Sequence, residues 1–387
     1  MEIKTLTSEL VKDKIVLVRT DLNVPLSDGK VAENTRIIES LPTLQFLIDN
    51  GAKQIHILTH LGRPKGKIVP ELSAQFLIPE LEKHLGQSIE FRPEYTASEA
   101  FIQLHENTRF RPEEKTNDPA FPAEIIEGIK PDIFVLDGFA VAHRPQASVI
   151  GFAGHIPCVA GKLVEKEIEN LSPFLSKEKI EGLTVVVGGA KMETKVAVLE
   201  HFSEISDNII VGGALSNTFL KAQGYDVGKS MCEDAEMETA KEVLEIAETN
   251  NTSFHNPVDV VCADDIDAPE AIAVPIEDVS GDMKILDIGP HAINSFEKII
   301  DHSKVIIWNG PVGVFEKEPF SKGTESIARA IAKNKHAKTI LGGGDTLGAL
   351  KKFDISKDEF THVSTGGGAM LEFLEGNELP GIEILKG

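Results

Sequence analysis

The chain has 387 residues, 41% of them hydrophobic and 26% charged, and a formal net charge of −22. This length exceeds what one core usually fills, so two domains are expected, and the acidic excess argues against nucleic acid or an anionic membrane as a general partner. Cys158, Cys232 and Cys262 are far apart with no CxxC spacing, which disfavours a zinc site or a disulfide framework; no apolar run reaches membrane-spanning length and Met1–Leu10 reads as no secretion signal, so a cytoplasmic protein is expected.

Ile15–Val18 reads as a buried strand that delivers Asp21 and Asn23 to its end, where Pro25 stops further pairing. Helical spacing over Glu33–Asn50 carries Arg36. The strand Gln54–Thr59 ends in His60-Leu61-Gly62-Arg63-Pro64, and after the helix Ala74–Leu85 comes Glu106-Asn107-Thr108-Arg109-Phe110-Arg111. The strand Asp132–Leu136 precedes Ala142-His143-Arg144-Pro145. Seven of the eight arginines (Arg19, Arg36, Arg63, Arg92, Arg109, Arg111, Arg144) therefore precede residue 145; the eighth is Arg329. One loop arginine is ordinarily solvated, and Asp or Asn at a strand end can simply build a turn. Four such constellations in one half point to a shared anion site, because arginine grips carboxylate and phosphate bidentately.

Leu163–Glu181 is rich in Lys and Glu with helical spacing of Leu163, Ile168 and Leu171, and Pro173 should end or bend it. It reads as a helical connector, or as an ordinary surface helix. The strand Leu183–Val187 leads into Gly188-Gly189-Ala190-Lys191-Met192-Glu193-Thr194-Lys195, expected to open a helix over Lys195–Phe202 with Lys191 and Lys195 one turn apart on one face. Backbone N–H groups, the positive helix end and two ammonium groups would suit a polyphosphate; two solvated lysines are the bland alternative. Further strands are read at Asn208–Val211, Val305–Trp308, Lys338–Leu341 and Thr361–Ser364, and helices at Glu233–Glu248 and Thr324–Lys333. Gly224–Ser230 looks like a P-loop but has three residues between its glycines where four are needed, and is rejected. Trp308–Glu316 is a strand-end turn whose Glu316 is placed to accept from a sugar hydroxyl, although turn-building alone accounts for it. Gly342-Gly343-Gly344-Asp345-Thr346 allows close phosphate approach, with Asp345 a candidate Mg²⁺ ligand. The strand–helix alternation predicts an α/β fold of two Rossmann-like domains with parallel sheets joined by a helical hinge, with ligands at the carboxyl ends of strands.

VRTDLNVP at 18–25, HLGRPKGK at 60–67, ENTRF at 106–110, AHR at 142–144, GGAK at 188–191, LDIGP at 286–290, WNGPVGVFE at 308–316, GGGDT at 342–346 and STGGGA at 364–369 occur in one order. Together they resemble the bacterial phosphoglycerate kinase family from about Ile15 to the C-terminus. The resemblance implies reversible phosphoryl transfer between 1,3-bisphosphoglycerate and ADP, by domain closure and without a general base. It implies an N-terminal 3-phosphoglycerate-binding domain at 1–165, a helical connector at 166–180, a nucleotide-binding domain at 181–365 and a segment at 366–387 returning to the first domain. Asp21, Asn23, Arg36, His60, Arg63, Arg109 and Arg144 would hold 3-phosphoglycerate. Gly189, Ala190, Lys191, Lys195, Gly213, Leu286, Pro311, Glu316, Gly342, Gly343, Gly344, Asp345 and Thr346 would hold ATP or ADP with Mg²⁺ at Asp345. Arg36, Lys191, Gly367 and Gly368 would act on the phosphoryl in flight, and a monomer is expected. The chain departs from the family pattern at Gly138-Phe139-Ala140-Val141, at Met192-Glu193-Thr194 and at Met370, where family members often carry a polar residue. An NAD-dependent oxidoreductase is a weak rival, because Gly342, Gly344 and Gly348 have the wrong spacing for a dinucleotide turn. A non-catalytic scaffold is disfavoured by the presence of every matched side chain.

Overall fold

A computed structural model describes Met1–Lys386; the last residue of the expected C-terminal segment, Gly387, lies outside the described residues. The chain divides into two compact units, one of Met1–Ser172 with Gly376–Gly387 and one of Pro173–Glu375.

The first unit is built on a six-stranded sheet in the order Ile89–Arg92, Ile102–His105, Gln54–Leu58, Ile15–Thr20, Ile133–Asp137, Cys158–Ala160, all parallel. Its inner strands are buried on both faces, as helix-covered parallel sheets require. One face packs Val16, Val18, Ile55, Ile57, Ile133 and Val135 against Ile37, Leu44 and Leu47 of the helix Thr35–Asp49 and Leu81 of the helix Ile78–Leu85. The C-terminal residues join this unit: Lys4 N donates to Leu385 O at 2.8 Å and Gly381 N to Ala142 O at 2.8 Å.

The second unit holds another six-stranded parallel sheet, in the order Ser253–His255, Asn208–Val211, Leu183–Val187, Val305–Asn309, Lys338–Gly342, His362–Val363. Trp308 is fully buried in its core and donates from Nε1 to Gly310 O at 2.8 Å, so the largest apolar side chain keeps its one polar atom satisfied. A smaller antiparallel sheet of Ile272–Pro275, Asp259–Ala263 and Lys284–Ile288 accompanies it, an element the sequence reading does not contain. The helix Lys162–Leu171 ends where Pro173 begins, in a short 3-10 turn over Ser172–Leu175. Gly224–Ser230 follows the helix Gly213–Ala222 and its Lys229 pairs with exposed Asp282, which agrees with rejecting a P-loop there.

Candidate functional site

The parallel register sets the ends of Ile15–Thr20, Gln54–Leu58, Ile102–His105 and Ile133–Asp137 along one edge of the first sheet, so the loops that follow converge. Asp21, buried just past the first strand, is ion-paired with Arg36 from the start of the helix Thr35–Asp49. Asn23 Oδ1 accepts from Gly62 N at 2.8 Å, and Arg109 Nη1 donates to Gly62 O at 2.8 Å, so the turn carrying His60 and Arg63 is clasped from both sides. Arg144 donates from Nε to His143 Nε2 at 3.0 Å. His60 is buried among these groups; burial first, then Arg19, Arg109, Arg36 and Arg144, hold its pKa well below the ordinary value. Burial pushes Arg109 down to about 10, with Arg19, Arg144 and Arg63 adding repulsion. Five guanidinium groups thus share one neighbourhood with the carboxylates of Asp21 and Glu114 beside them, an excess of positive charge that an anion would stabilise. Two of the seven early arginines lie elsewhere: Arg92 pairs with Glu90 and Thr96, and Arg111 with Glu113 and Glu124 while stacking over Phe121.

In the second unit, glycine turns weave the strand ends together. Gly188 N donates to Asn309 O at 2.9 Å, Gly213 N to Val312 O at 2.8 Å and Leu215 N to Gly189 O at 3.0 Å. A Cβ on Gly188 would lie 2.0 Å from Pro311 O, so no other residue fits without shifting the backbone. Gly343, at φ +102°, turns the strand Lys338–Gly342 into the helix Gly344–Lys352. Beside these turns lies a cavity of ≈650 Å³. Gly189, Ala190, Gly213, Leu286, Pro311, Glu316 and Asp345 line it, together with Met231, Ile266 and Val314. Its apolar wall and polar mouth suit a flat ring carrying a charged tail.

Lys195 is half-buried and hydrogen-bonds Asn309 Oδ1, while Asn309 Nδ2 donates to Gly342 O at 2.9 Å and Thr346 Oγ1 accepts from Gly310 N at 2.8 Å. Burial lowers the Lys195 pKa to about 8, partly offset by Glu375 and Asp345. Asp345 is exposed in the first turn of its helix. No group of three or more potential metal-ligating side chains occurs among the described residues. A single carboxylate beside these glycine turns does fit Mg²⁺, which takes most of its ligands from water and phosphate. Gly367 and Gly368 precede and open the short helix Gly368–Leu374.

One local expectation is overturned. Lys191 and Lys195 do not share a helical face: residues 193–195 form a turn, and the helix begins at Val196 and runs to Ile205. The reason is non-local. The Glu233 carboxylate accepts from Met192 N at 2.5 Å and Glu193 N at 3.3 Å, taking donors that a helix start would have offered to a phosphate. Lys191 is left exposed just before that turn. The departures from the family pattern are accommodated by packing. Val141 is buried beside Gly138, and Met370 is fully buried with its sulfur where a Cβ on Gly342 would lie. The sequence reading also did not single out Asn309, although it stands within the Trp308–Glu316 turn, nor Arg19 beyond noting it, nor the apolar cavity wall, which carries no motif.

The family model described as phosphoglycerate kinase matches residues 6–377. A curated phosphoglycerate kinase of Thermosipho africanus is 45% identical over 396 residues, covering 99% of this chain and 97% of the relative. The solved structure of phosphoglycerate kinase from Coxiella burnetii superposes with a TM-score of 0.90 at 41% identity, covering 99% of each chain. That of phosphoglycerate kinase from Pyrococcus horikoshii superposes with a TM-score of 0.81 at 32% identity, covering 99% of this chain and 98% of the other.

Proposed function

The chain belongs to the phosphoglycerate kinase family, and from that premise we infer that it catalyses reversible phosphoryl transfer from 1,3-bisphosphoglycerate to ADP, giving 3-phosphoglycerate and ATP in glycolysis. The attacking oxygen is anionic in both directions, on ADP or on the carboxylate of 3-phosphoglycerate, so no general base is needed. Catalysis then reduces to aligning two anions and stabilising charge on the transferring phosphoryl.

On this reading Asp21, Asn23, Arg36, His60, Arg63, Arg109 and Arg144 hold 3-phosphoglycerate. The glycine turns, Lys195, Glu316 and Thr346 hold the nucleotide, with Leu286 and Pro311 against its base and ribose. Arg36, Lys191 and the backbone at Gly367 and Gly368 meet the phosphoryl in flight. Asp345 would hold Mg²⁺, which supplies charge neutralisation on the phosphate oxygens. Bringing the two ligands together requires closure of the two units, which also shuts out water. The two binding domains follow the two units, with the stretch 166–180 as the connector and the residues from Gly376 onward returning to the first unit. A monomer in the cytoplasm is the corresponding proposal. Three free cysteines support a reducing compartment, and no described helix is long and apolar enough to cross a membrane.

The observation that carries the reading is the crowd of guanidinium groups around one buried histidine at the strand ends, whose mutual repulsion an anion would relieve. A coupled assay with ATP and 3-phosphoglycerate tests it. Turnover with these substrates and none with glycerate supports the reading; no turnover of a folded preparation overturns it.

A further inference from the structure

Arg19 is the one member of the arginine cluster that cannot reach a ligand, because it is wholly buried. Its Nε donates to Ser148 Oγ at 2.7 Å and its Nη1 to Thr20 O. Its Nη2 stands 3.2 Å from His60 Nδ1 and 4.0 Å from Glu114 Oε1. Glu114 is itself buried and accepts from Ser148 N at 2.8 Å and Ser148 Oγ at 2.6 Å, so the guanidinium is held in place by a satisfied network rather than left to swing.

A guanidinium carries five N–H donors and no acceptor. The close contact with His60 is therefore a hydrogen bond only if Nδ1 is bare. The other acceptor that an Nδ1–H might use, Asp21 Oδ1, is 3.9 Å away, beyond hydrogen-bond reach, and that carboxylate is engaged by Arg36 through Oδ2. A ring proton on Nδ1 would also point at a fixed positive charge, inside a shell formed by Arg36, Arg109 and Arg144 from three other segments, with Asp21 the carboxylate paired to His60 among the described residues. With Nδ1 bare and the ring neutral, the only proton sits on Nε2.

We propose that Arg19 is a positioning residue that locks His60 as the neutral Nε2–H tautomer, so that the histidine offers the bound anion one hydrogen-bond donor and no titrating charge. This rests on the reading that His60 faces 3-phosphoglycerate. The opposite tautomer would present a lone pair to the anion, and a protonated ring would make affinity swing with pH across the range in which an ordinary histidine titrates. Charge is supplied by the arginines, which do not titrate there.

The test needs no variant for its first arm. In the full chain labelled with ¹⁵N-histidine, long-range ¹H–¹⁵N correlation reads each ring nitrogen directly, with His60 identified by its loss in H60Q. The expected spectrum shows Nδ1 unprotonated and Nε2 protonated, unchanged over about pH 6 to 8. An Nδ1–H tautomer, or a ring that titrates in that window, overturns the proposal. Adding 3-phosphoglycerate should move the Nε2 resonance. If it does not, the assignment of His60 to the substrate fails while the tautomer lock stands. The second arm is R19Q, whose amide can donate to or accept from Nδ1 and so frees the proton. The ratio of its KM for 3-phosphoglycerate to that of the parent should fall as pH is lowered from about 8 to 6, by at most about tenfold per pH unit for one linked proton. A ratio that is flat with pH would leave Arg19 a packing residue only.

Discussion

On the proposed reading the two units solve the same problem, holding an anion, with different materials. The first uses side chains: five guanidinium groups brought to one edge of a sheet, with Asp21 and Glu114 as the counter-charges that pin them. The second uses main chain: glycine turns at Gly188, Gly213, Gly310 and Gly343 interlock so closely that a single Cβ on most of them would strike backbone or a side chain. A side-chain site carries its repulsion permanently and is relieved when ligand binds. A backbone site carries no net charge at rest and admits ligands of varied charge, with affinity set by the few lysines and by the metal.

Lys191 tests that contrast most severely, since it is a flexible side chain on a turn otherwise made of backbone. Lys191→Ala should lower kcat by roughly a hundredfold or more with little change in the KM for ATP, as expected for a contact made only in the transition state. A rise in KM alone would place it with the ground-state ligands. Arg36→Ala and Arg144→Ala should each weaken use of 3-phosphoglycerate by roughly ten- to hundredfold, the equivalent of a charged hydrogen bond of about 1.5–3 kcal/mol, while leaving ATP nearly untouched. Equal losses for both substrates would erase the division between the units. Lys195 provides the pH signature of the second unit. With its pKa lowered to about 8 by burial, its ammonium is lost as pH rises through that value, so the KM for ATP should climb above about pH 8 by up to tenfold per pH unit. In Lys195→Met that dependence should vanish, leaving a KM that is high throughout.

The smallest effect concerns Asp287, which lines the cavity of the second unit. One of its oxygens accepts from Gly323 N at 2.7 Å, while the other is buried without a partner, against Gly313 and Gly323. Burial raises its pKa to about 8. A carboxyl whose folded pKa lies above its unfolded value contributes stability that is full at acid pH and lost as pH rises toward 8. Asp287→Asn keeps the acceptor for Gly323 and removes the titration, so urea melts at about pH 6 and 9 should differ less than in the parent. Asp137 in the first unit is built alike, with Leu163 N on one oxygen and a pKa raised to about 7, so the two substitutions together should flatten the profile further.

Much of this was legible in the sequence where the signals were local. Leu183–Val187 is a β-branched run buried on both faces, and it forms a strand with those bounds. Asp21, Asn23, His60 and Arg144 follow apolar runs, and the parallel register brings them together. What failed to show was non-local or masked. The turn at residues 193–195 is set by Glu233, some 40 positions away in sequence (233 against 192 and 193), and no window over the turn contains it. The strand Ile102–His105 alternates apolar residues with Gln103 and His105, which look solvent-facing but are buried with partners at Ser98, Ala100 and Glu94. The antiparallel strand Ile272–Pro275 is largely exposed and carries no continuous apolar run.

Met370 carries a consequence of a different kind. Its thioether fills the space over Gly342 and is fully enclosed. Sulfoxidation would add an oxygen where there is no room and turn an apolar contact into a polar one. Peroxide should reach that sulfur when the helix Gly368–Leu374 lifts away, so the rate at which Met370 is oxidised, read by peptide mass, would clock the opening of the glycine turn at Gly342. Nucleotide should slow that clock and leave the oxidation of exposed Met1, which belongs to the first unit, unchanged.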